Sequence, residues 1–320
     1  MWMRSVTFVG AILVILSQSA SGQDAKAVPA APKSLLIFYG WPSTINGANG
    51  NVQAAAKHFA NYDLVVIGGE LESPSHPDHR NTAQILQLAK RKTQFFGYVP
   101  LGNRKGTDMC LPQAEIAKRM ALLKAFGVKG VLLDEFGFDY GVDRDRQNLA
   151  VQAAHNNKLT VIANAWNPDD VFLPDQAGVA PALAPGDAYL WESYRFSVGK
   201  PVDQATWRVK ADKIAAGRKK LPLLVYSVST NEKQPNNALA QFTHQWYSAS
   251  IDGHEATGWG YPGFAAGDSQ APLLWFKRPT LGNTVNAPIQ VNGTTIRKAT
   301  TKGIIEVDTK QLTGTFTPSK

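Results

Sequence analysis

Apolar positions along this chain alternate between two rhythms. Short runs of β-prone residues give way to longer stretches in which apolar residues recur every three or four positions. The strand-like runs lie at 34–39, 62–67, 94–99, 130–134, 159–163, 187–192, 221–228 and 255–260. Helix-like stretches fall between them at 52–59, 82–92, 111–126, 144–157, 203–219 and 237–251. In the third of these, Ile116, Met120, Leu123 and Phe126 have the spacing of a helix face laid on a sheet. Strand–helix alternation repeated this way predicts an α/β protein, a (β/α)8 TIM barrel over 34–282. The competing fold, an open doubly wound sheet, carries a G-x-G-x-x-G loop after its first strand. Ile45-Asn46-Gly47-Ala48-Asn49-Gly50 lacks that order and reads as a plain loop.

Both ends of the chain break the rhythm. After Gly282 come short strand-like pieces at 289–291, 294–298 and 303–307, and Val291-Asn292-Gly293-Thr294 is a hairpin signal. This β-rich tail, 283–320, is too small for its own core. It is either a flap laid on the barrel or the start of a further unit. At the other end, Arg4, the apolar stretch 6–16 and the small residues Ala20 and Gly22 form a secretory signal over 1–22, cleaved before Gln23. An uncleaved anchor is the alternative. Residues 23–33 read as a Pro/Ala-rich linker. No later run approaches the length of a membrane span, so a secreted or periplasmic protein is expected, with no span left after signal cleavage.

Composition, at 44% hydrophobic and 18% charged, is ordinary for a globular protein. The net charge of +8 can draw the protein towards an anionic glycan or cell envelope. Its lysines and arginines are scattered, without the aromatic-interleaved basic stripe of a nucleic-acid binder, so no nucleic acid is expected. Cys110 is alone, which leaves no intrachain disulfide and suggests a passive packed thiol. The histidines are dispersed; His76 and His79 share a Pro-rich loop with no evident strand-end partner. No metal and no cofactor are expected, there is no G-x-S-x-G elbow, and the chain is expected to act as a monomer.

In a (β/α)8 barrel the residues just past the C-terminal end of each strand line the active site. Here they are Tyr39 and Trp41, Glu70 and Glu72, Tyr98, Asp134 and Glu135, Asn164 and Trp166, Glu192 and Tyr194, Tyr226 and Ser227, and Trp259 and Tyr261. Aromatic faces stack on sugar rings, while amides and carboxylates bind hydroxyls, so this rim suits a polysaccharide. Asp134 and Glu192 each end an apolar run, and two carboxylates facing one bond are the equipment of a glycosidase. Tyr39, Trp41, Glu70, Tyr98, Glu135, Asn164, Trp166, Tyr226, Trp259 and Tyr261 are the candidate substrate-binding residues. Glu135, beside Asp134, alternates to the other side of the strand. It is expected to pair with a base such as Arg144 or Arg146, or else to tune Asp134 through its charge.

Four blocks resemble the glycoside hydrolase family 114 type of barrel, the endo-α-1,4-polygalactosaminidase-like proteins. They are Tyr62-Asp63-Leu64-Val65-Val66-Ile67, Phe96-Gly97-Tyr98-Val99-Pro100-Leu101-Gly102, the segment from Gly127 to Asp134, and Trp191-Glu192. The likeness covers roughly residues 34–263 and implies a catalytic Asp at 134 and a catalytic Glu at 192. The departures are Gly68-Gly69 ahead of Glu70, where that family often has an acid, Glu135 after the Asp, and Asn164-Ala165-Trp166 where Asn-Gly is commoner. The expectation is an endo-acting retaining glycosidase for an amino-sugar polymer, with Asp134 as nucleophile and Glu192 as general acid/base. The alternative is a barrel that binds glycan as an envelope scaffold without turning it over.

Overall fold

Eight parallel strands close on themselves in the order β1-β10-β9-β6-β5-β4-β3-β2. The computed structural model describes residues 28–103, 110–231, 237–261, 264, 270–272 and 276–319. The expected signal segment and the first part of the linker lie outside them. In chain order the barrel runs β1 (Lys33–Phe38), α1 (Val52–Phe59), β2 (Leu64–Ile67), α2 (His79–Ala89), β3 (Gln94–Pro100), α3 (Gln113–Phe126), β4 (Gly130–Asp134) and α4 (Arg144–Asn156). It continues with β5 (Thr160–Asn164), a four-residue α5 (Asp169–Phe172), β6 (Ala188–Trp191), a small ribbon of β7 (Phe196–Ser197) and β8 (Lys200–Pro201), α6 (Gln204–Lys220), β9 (Leu224–Thr230), α7 (Ala238–Asp252) and β10 (Ala256–Gly260).

Side-chain alternation divides the core into two layers. Leu35, Ile37, Leu64, Val66, Phe96, Leu132, Ile162, Ala188 and Leu190 point inward and fill the barrel. Their neighbours Leu36, Phe38, Val65, Val131, Leu133, Val161, Ala163, Tyr189 and Trp191 point outward, against the helices. Side-chain caps fix where several helices begin: Asn51 accepts from the N–H of Ala54, Asp143 from Arg146 and Asp203 from Thr206. α2 begins earlier than its sequence pattern suggests. The Asp78 carboxylate ahead of it gathers the Ser43 N–H, the Thr82 hydroxyl and the Asn81 amide, which fixes that turn.

β9 runs to Thr230, past the expected end at 228. Its Ser hydroxyls are satisfied in the sheet's outer layer, where Ser227 bonds Thr257 and Ser229 accepts the N–H groups of Arg195 and Phe196. A polar run of this kind is still strand.

The C-terminal residues form a separate antiparallel sheet, β11 (Gln290–Asn292), β12 (Thr295–Thr300), β13 (Gly303–Asp308) and β14 (Thr313–Pro318), paired in that order. The turn falls on Gly293 and Thr294, because Asn292 pairs with Thr295. Gly293 alone takes the positive φ, +59°, so the glycine leads the turn and Asn292 stays in the strand. The sheet lies against α7. Ile296, Ile305 and Val307 are fully buried, and Gly314 sits so close to Tyr247 that a Cβ there would fall 2.6 Å from its ring. Buried His244 of α7 donates from Nδ1 to the Thr313 carbonyl and accepts at Nε2 from Arg195, linking sheet, helix and barrel. Burial and the Arg195 charge pull His244 down to about 4, so it stays neutral in this role.

Ile305→Ala should therefore cost about 2–5 kcal/mol and lower the midpoint of a single urea unfolding transition. A separate early transition would instead show that the sheet unfolds apart from the barrel.

Candidate active site

Four strands in a row deliver one polar cluster. On β3, β4 and β5, Tyr98, Asp134 and Asn164 share the phase of the inward-facing Phe96, Leu132 and Ile162. Glu192, immediately after β6, continues the phase of Ala188 and Leu190. Alternation thus sends all four side chains into the barrel mouth.

The Asp134 carboxylate is surrounded by donors. Asn164 Nδ2 donates to Oδ1 at 2.8 Å and the Glu135 N–H to the same oxygen at 2.9 Å, while the Tyr98 hydroxyl donates to Oδ2 at 3.0 Å. Asn164 Nδ2 also donates to Glu192 Oε2 at 3.1 Å. One amide nitrogen therefore bridges both acids, and their facing oxygens lie no further apart than the span of its two hydrogen bonds. Burial raises the Asp134 pKa to about 6; the Glu192 charge adds to the rise, and the three donors oppose it.

The chain turns sharply after each acid. Glu135 and Ser193 both adopt left-handed backbone, with φ of 51° and 53°. That conformation costs a side-chain-bearing residue about 1–2 kcal/mol, and the Glu135 N–H at the start of this turn points at Asp134. Glu135 thus acts on Asp134 through its backbone. The two arginines expected to pair with it are engaged elsewhere: Arg144 with Gln147 and the Leu173 carbonyl, Arg146 with the Leu101 and Leu111 carbonyls.

Aromatic rings extend the cluster towards β1. Tyr39 faces inward and packs on Tyr98 with ring centroids 4.9 Å apart. Gly68, directly after β2, makes room for it, since a Cβ there would fall 2.6 Å from the Tyr39 ring. That contact accounts for a glycine where the resemblance suggests an acid. Glu70 follows with φ 59° and lies 3.7 Å from Arg119. Arg119 is buried, pairs with buried Glu72 at 2.7 Å and donates to the Tyr98 carbonyl, so Glu72 is part of the scaffold that holds β3. Trp41 and Trp166 stand on the rim, 47% and 50% exposed.

Several expected rim residues lie elsewhere, among them Tyr194 and Ser227, which are buried in the outer layer. Tyr226 is buried inside the barrel, level with Leu190 and below Glu192, because β9 continues four residues beyond it. Burial pushes its hydroxyl up to about 12. Trp259 is only 3% exposed and points outward to Phe196 and Phe242, since the inward positions of β10 are Ala256 and Gly258. Tyr261 follows directly on the end of β10 and is half-buried, and its charge acts on Tyr62. Cys110, expected to be packed, is exposed. His79 bonds the Leu71 carbonyl and stacks on Phe126, while His76 accepts the Asp78 N–H. Among the described residues no group of three or more His, Cys, Asp or Glu is placed to hold a metal.

The structure adds two residues that the strand ends do not reveal. Tyr140, in a 3-10 turn after β4, receives a hydrogen bond from the Trp166 indole at 3.2 Å and feels the Asp134 charge. Lys210, on α6, lies close enough to Glu192 for its ammonium to be favoured by that charge.

No protein-family profile matches the chain, and no curated protein matches it in sequence. Among solved structures it is similar to the glycoside hydrolase domain of PelA from Pseudomonas aeruginosa, at 15% identity and a TM-score of 0.48, over 75% of this chain and 100% of that one. Ega3 of Aspergillus fumigatus in complex with galactosamine gives 12% identity and 0.38, over 66% and 82%. A broad-specificity endoglucanase from an uncultured bacterium gives 11% and 0.43, over 75% and 89%. An N-acetylneuraminate lyase from Fusobacterium nucleatum, at 9% and 0.37, is also similar. With TM-scores below 0.5, these likenesses decide nothing about the reaction, which has to be read from the side chains.

Tyr98→Phe removes one of the donors that favour ionised Asp134. The Asp134 carboxyl should then titrate above about 6, as followed by carbon-13 NMR of labelled aspartate; an unchanged titration would show that the phenol does not act on it.

Proposed function

We propose that this chain is a glycoside hydrolase that cleaves internal O-glycosidic bonds of an extracellular or envelope polysaccharide with retention of configuration. The observation that carries this reading is the Asn164 amide bridging Asp134 and Glu192. A donor shared by both carboxylates supports the close spacing of retaining enzymes, about 5–5.5 Å, over the roughly 6.5–9.5 Å that leaves room for an inverting water.

In this reading Asp134 attacks the anomeric carbon while Glu192 gives its proton to the departing glycosidic oxygen. The glycosyl ester on Asp134 is then opened by water, whose proton returns to Glu192. The Asn164 amide and the Glu135 N–H can only donate, so Asp134 Oδ1 is built to carry charge, which suits a nucleophile. Tyr39, Trp41, Tyr98 and Trp166 would contact the sugar chain. The resemblance to family 114 adds an amino-sugar polymer as substrate. The signal-like first 22 residues support secretion, with the protein acting as a monomer.

One observation favours exchanged roles: the acid whose pKa is raised is Asp134, and a raised carboxyl is the usual general acid. The pH dependence separates the two. A nucleophile must be ionised, so with Asp134 in that role kcat/KM falls as pH drops through about 6. With Asp134 as the acid, the rate instead falls as pH rises through the same value.

Asp134→Asn should lower turnover by several orders of magnitude without changing the melting temperature by more than a few degrees. Reducing-end release across a panel of polysaccharides is the measurement. Binding with no new reducing ends anywhere on that panel would replace the hydrolase with the glycan-binding scaffold.

A further inference from the structure

Trp166 has two neighbourhoods. Its indole N–H reaches the Tyr140 hydroxyl on the Asp134 side. On the other side, Lys210 Nζ lies 5.6 Å from its ring centroid. The same ammonium lies 5.6 Å from the Trp191 ring and 6.0 Å from that of Tyr189. Aromatic faces attract a cation but bring no counter-charge. Lys210 makes no hydrogen bond or ion pair among the described residues, and the carboxylate that acts on it is Glu192. Burial pulls it down to about 8, which leaves it mostly an ammonium at neutral pH, held without a partner of its own.

Beside Trp166 lies a shallow groove of about 600 Å³ bounded by Trp166, Pro168, Thr206, Val209, Lys210 and Lys213. Its walls are largely apolar, with the exposed faces of Trp166 and Val209. Thr206 belongs to the first turn of α6, so the positive end of that helix dipole lies against the groove. The nearby acids are already committed: Asp169 to Lys213 at 2.7 Å, and Asp203 to the Thr206 N–H at 2.9 Å. What remains is a stacking surface beside an ammonium that no hydrogen bond or ion pair satisfies among the described residues.

We propose that this groove is a binding subsite for an acidic sugar ring, a uronate, whose pyranose face stacks on Trp166 and whose carboxylate pairs with Lys210. It rests on the glycosidase reading only for its place next to the bond that is cut. A ring with a free, protonated amine would meet like charge here. The substrate class that follows is a polysaccharide in which uronate rings alternate with or neighbour the ring held at the acid pair.

The test is calorimetric titration of the full chain carrying Asp134→Asn, which keeps the oligomers intact. The probes are hexasaccharides of alternating N-acetylhexosamine and uronate, the same oligomers with carboxyls reduced to alcohols, and a hexosamine hexasaccharide with free amines. The carboxylated oligomer should bind about tenfold tighter than its reduced form. Lys210→Met should bring that ratio close to one, Lys210→Arg should keep it, and Trp166→Ala should weaken both oligomers. Equal binding of the first two, tighter binding of the free-amine oligomer, no binding of any, or a ratio that survives Lys210→Met would overturn the proposal. Reducing-end release by the unmodified chain on the same oligomers separates the two readings. Carboxylate-dependent binding without cleavage sinks the hydrolase and keeps the subsite, whereas cleavage without carboxylate preference does the reverse.

Discussion

Two carboxylates set into one barrel mouth repel each other, and removal of water strengthens that repulsion. The neutral amide of Asn164 makes the arrangement tenable, because it donates to both at once. It can do so only because β5 lies between β4 and β6 in the sheet and all three strands present the same alternation phase. Shifting β5 by one residue would turn Asn164 towards the helices and leave the acids without their common donor. The strand pairing of Leu132 with Ile162, and of Asn164 with Leu190, is thus a condition on the chemistry as well as on the fold.

Around that amide the site is graded from dry to wet. Tyr98, held from behind by Arg119 and Glu72, forms a rigid buried flank. Tyr39 covers it on the β1 side, and the indoles of Trp41 and Trp166 stand exposed at the margin of the mouth. The pairing of buried Arg119 with Glu72 is a positional device: both side chains are almost wholly removed from water and fix the backbone that carries Tyr98.

Much of this was legible in the chain itself, for a reason that also marks where reading stops. An acid that ends an apolar run has a defined phase, so Asp134 and Glu192 could be aimed from their neighbours alone. Asn164 followed the same rule. Trp259 and Tyr226 were misplaced because the rule needs both the phase and the true end of the strand. Trp259 is one position out of phase, and Ser227 and Ser229 disguised the continuation of β9. Tyr140 and Lys210 carry no signal of this kind. One sits in a 3-10 turn and the other inside a helix, and only packing brings them to the mouth. The left-handed residues after the acids were equally hidden, since neither Glu135 nor Ser193 is the glycine that such backbone usually announces.

Those two left-handed positions separate the parts of the molecule that must stay fixed from those free to vary. Each acid stands on the last anchored residues of its strand, and the reversal comes immediately afterwards, at Glu135 and at Ser193. Whatever length or composition the following loop takes, it begins beyond that reversal, while each acid keeps the register its strand has in the sheet. A lineage carrying this barrel can therefore exchange its rims, and with them the molecules it meets, while the two acids stay where the sheet put them.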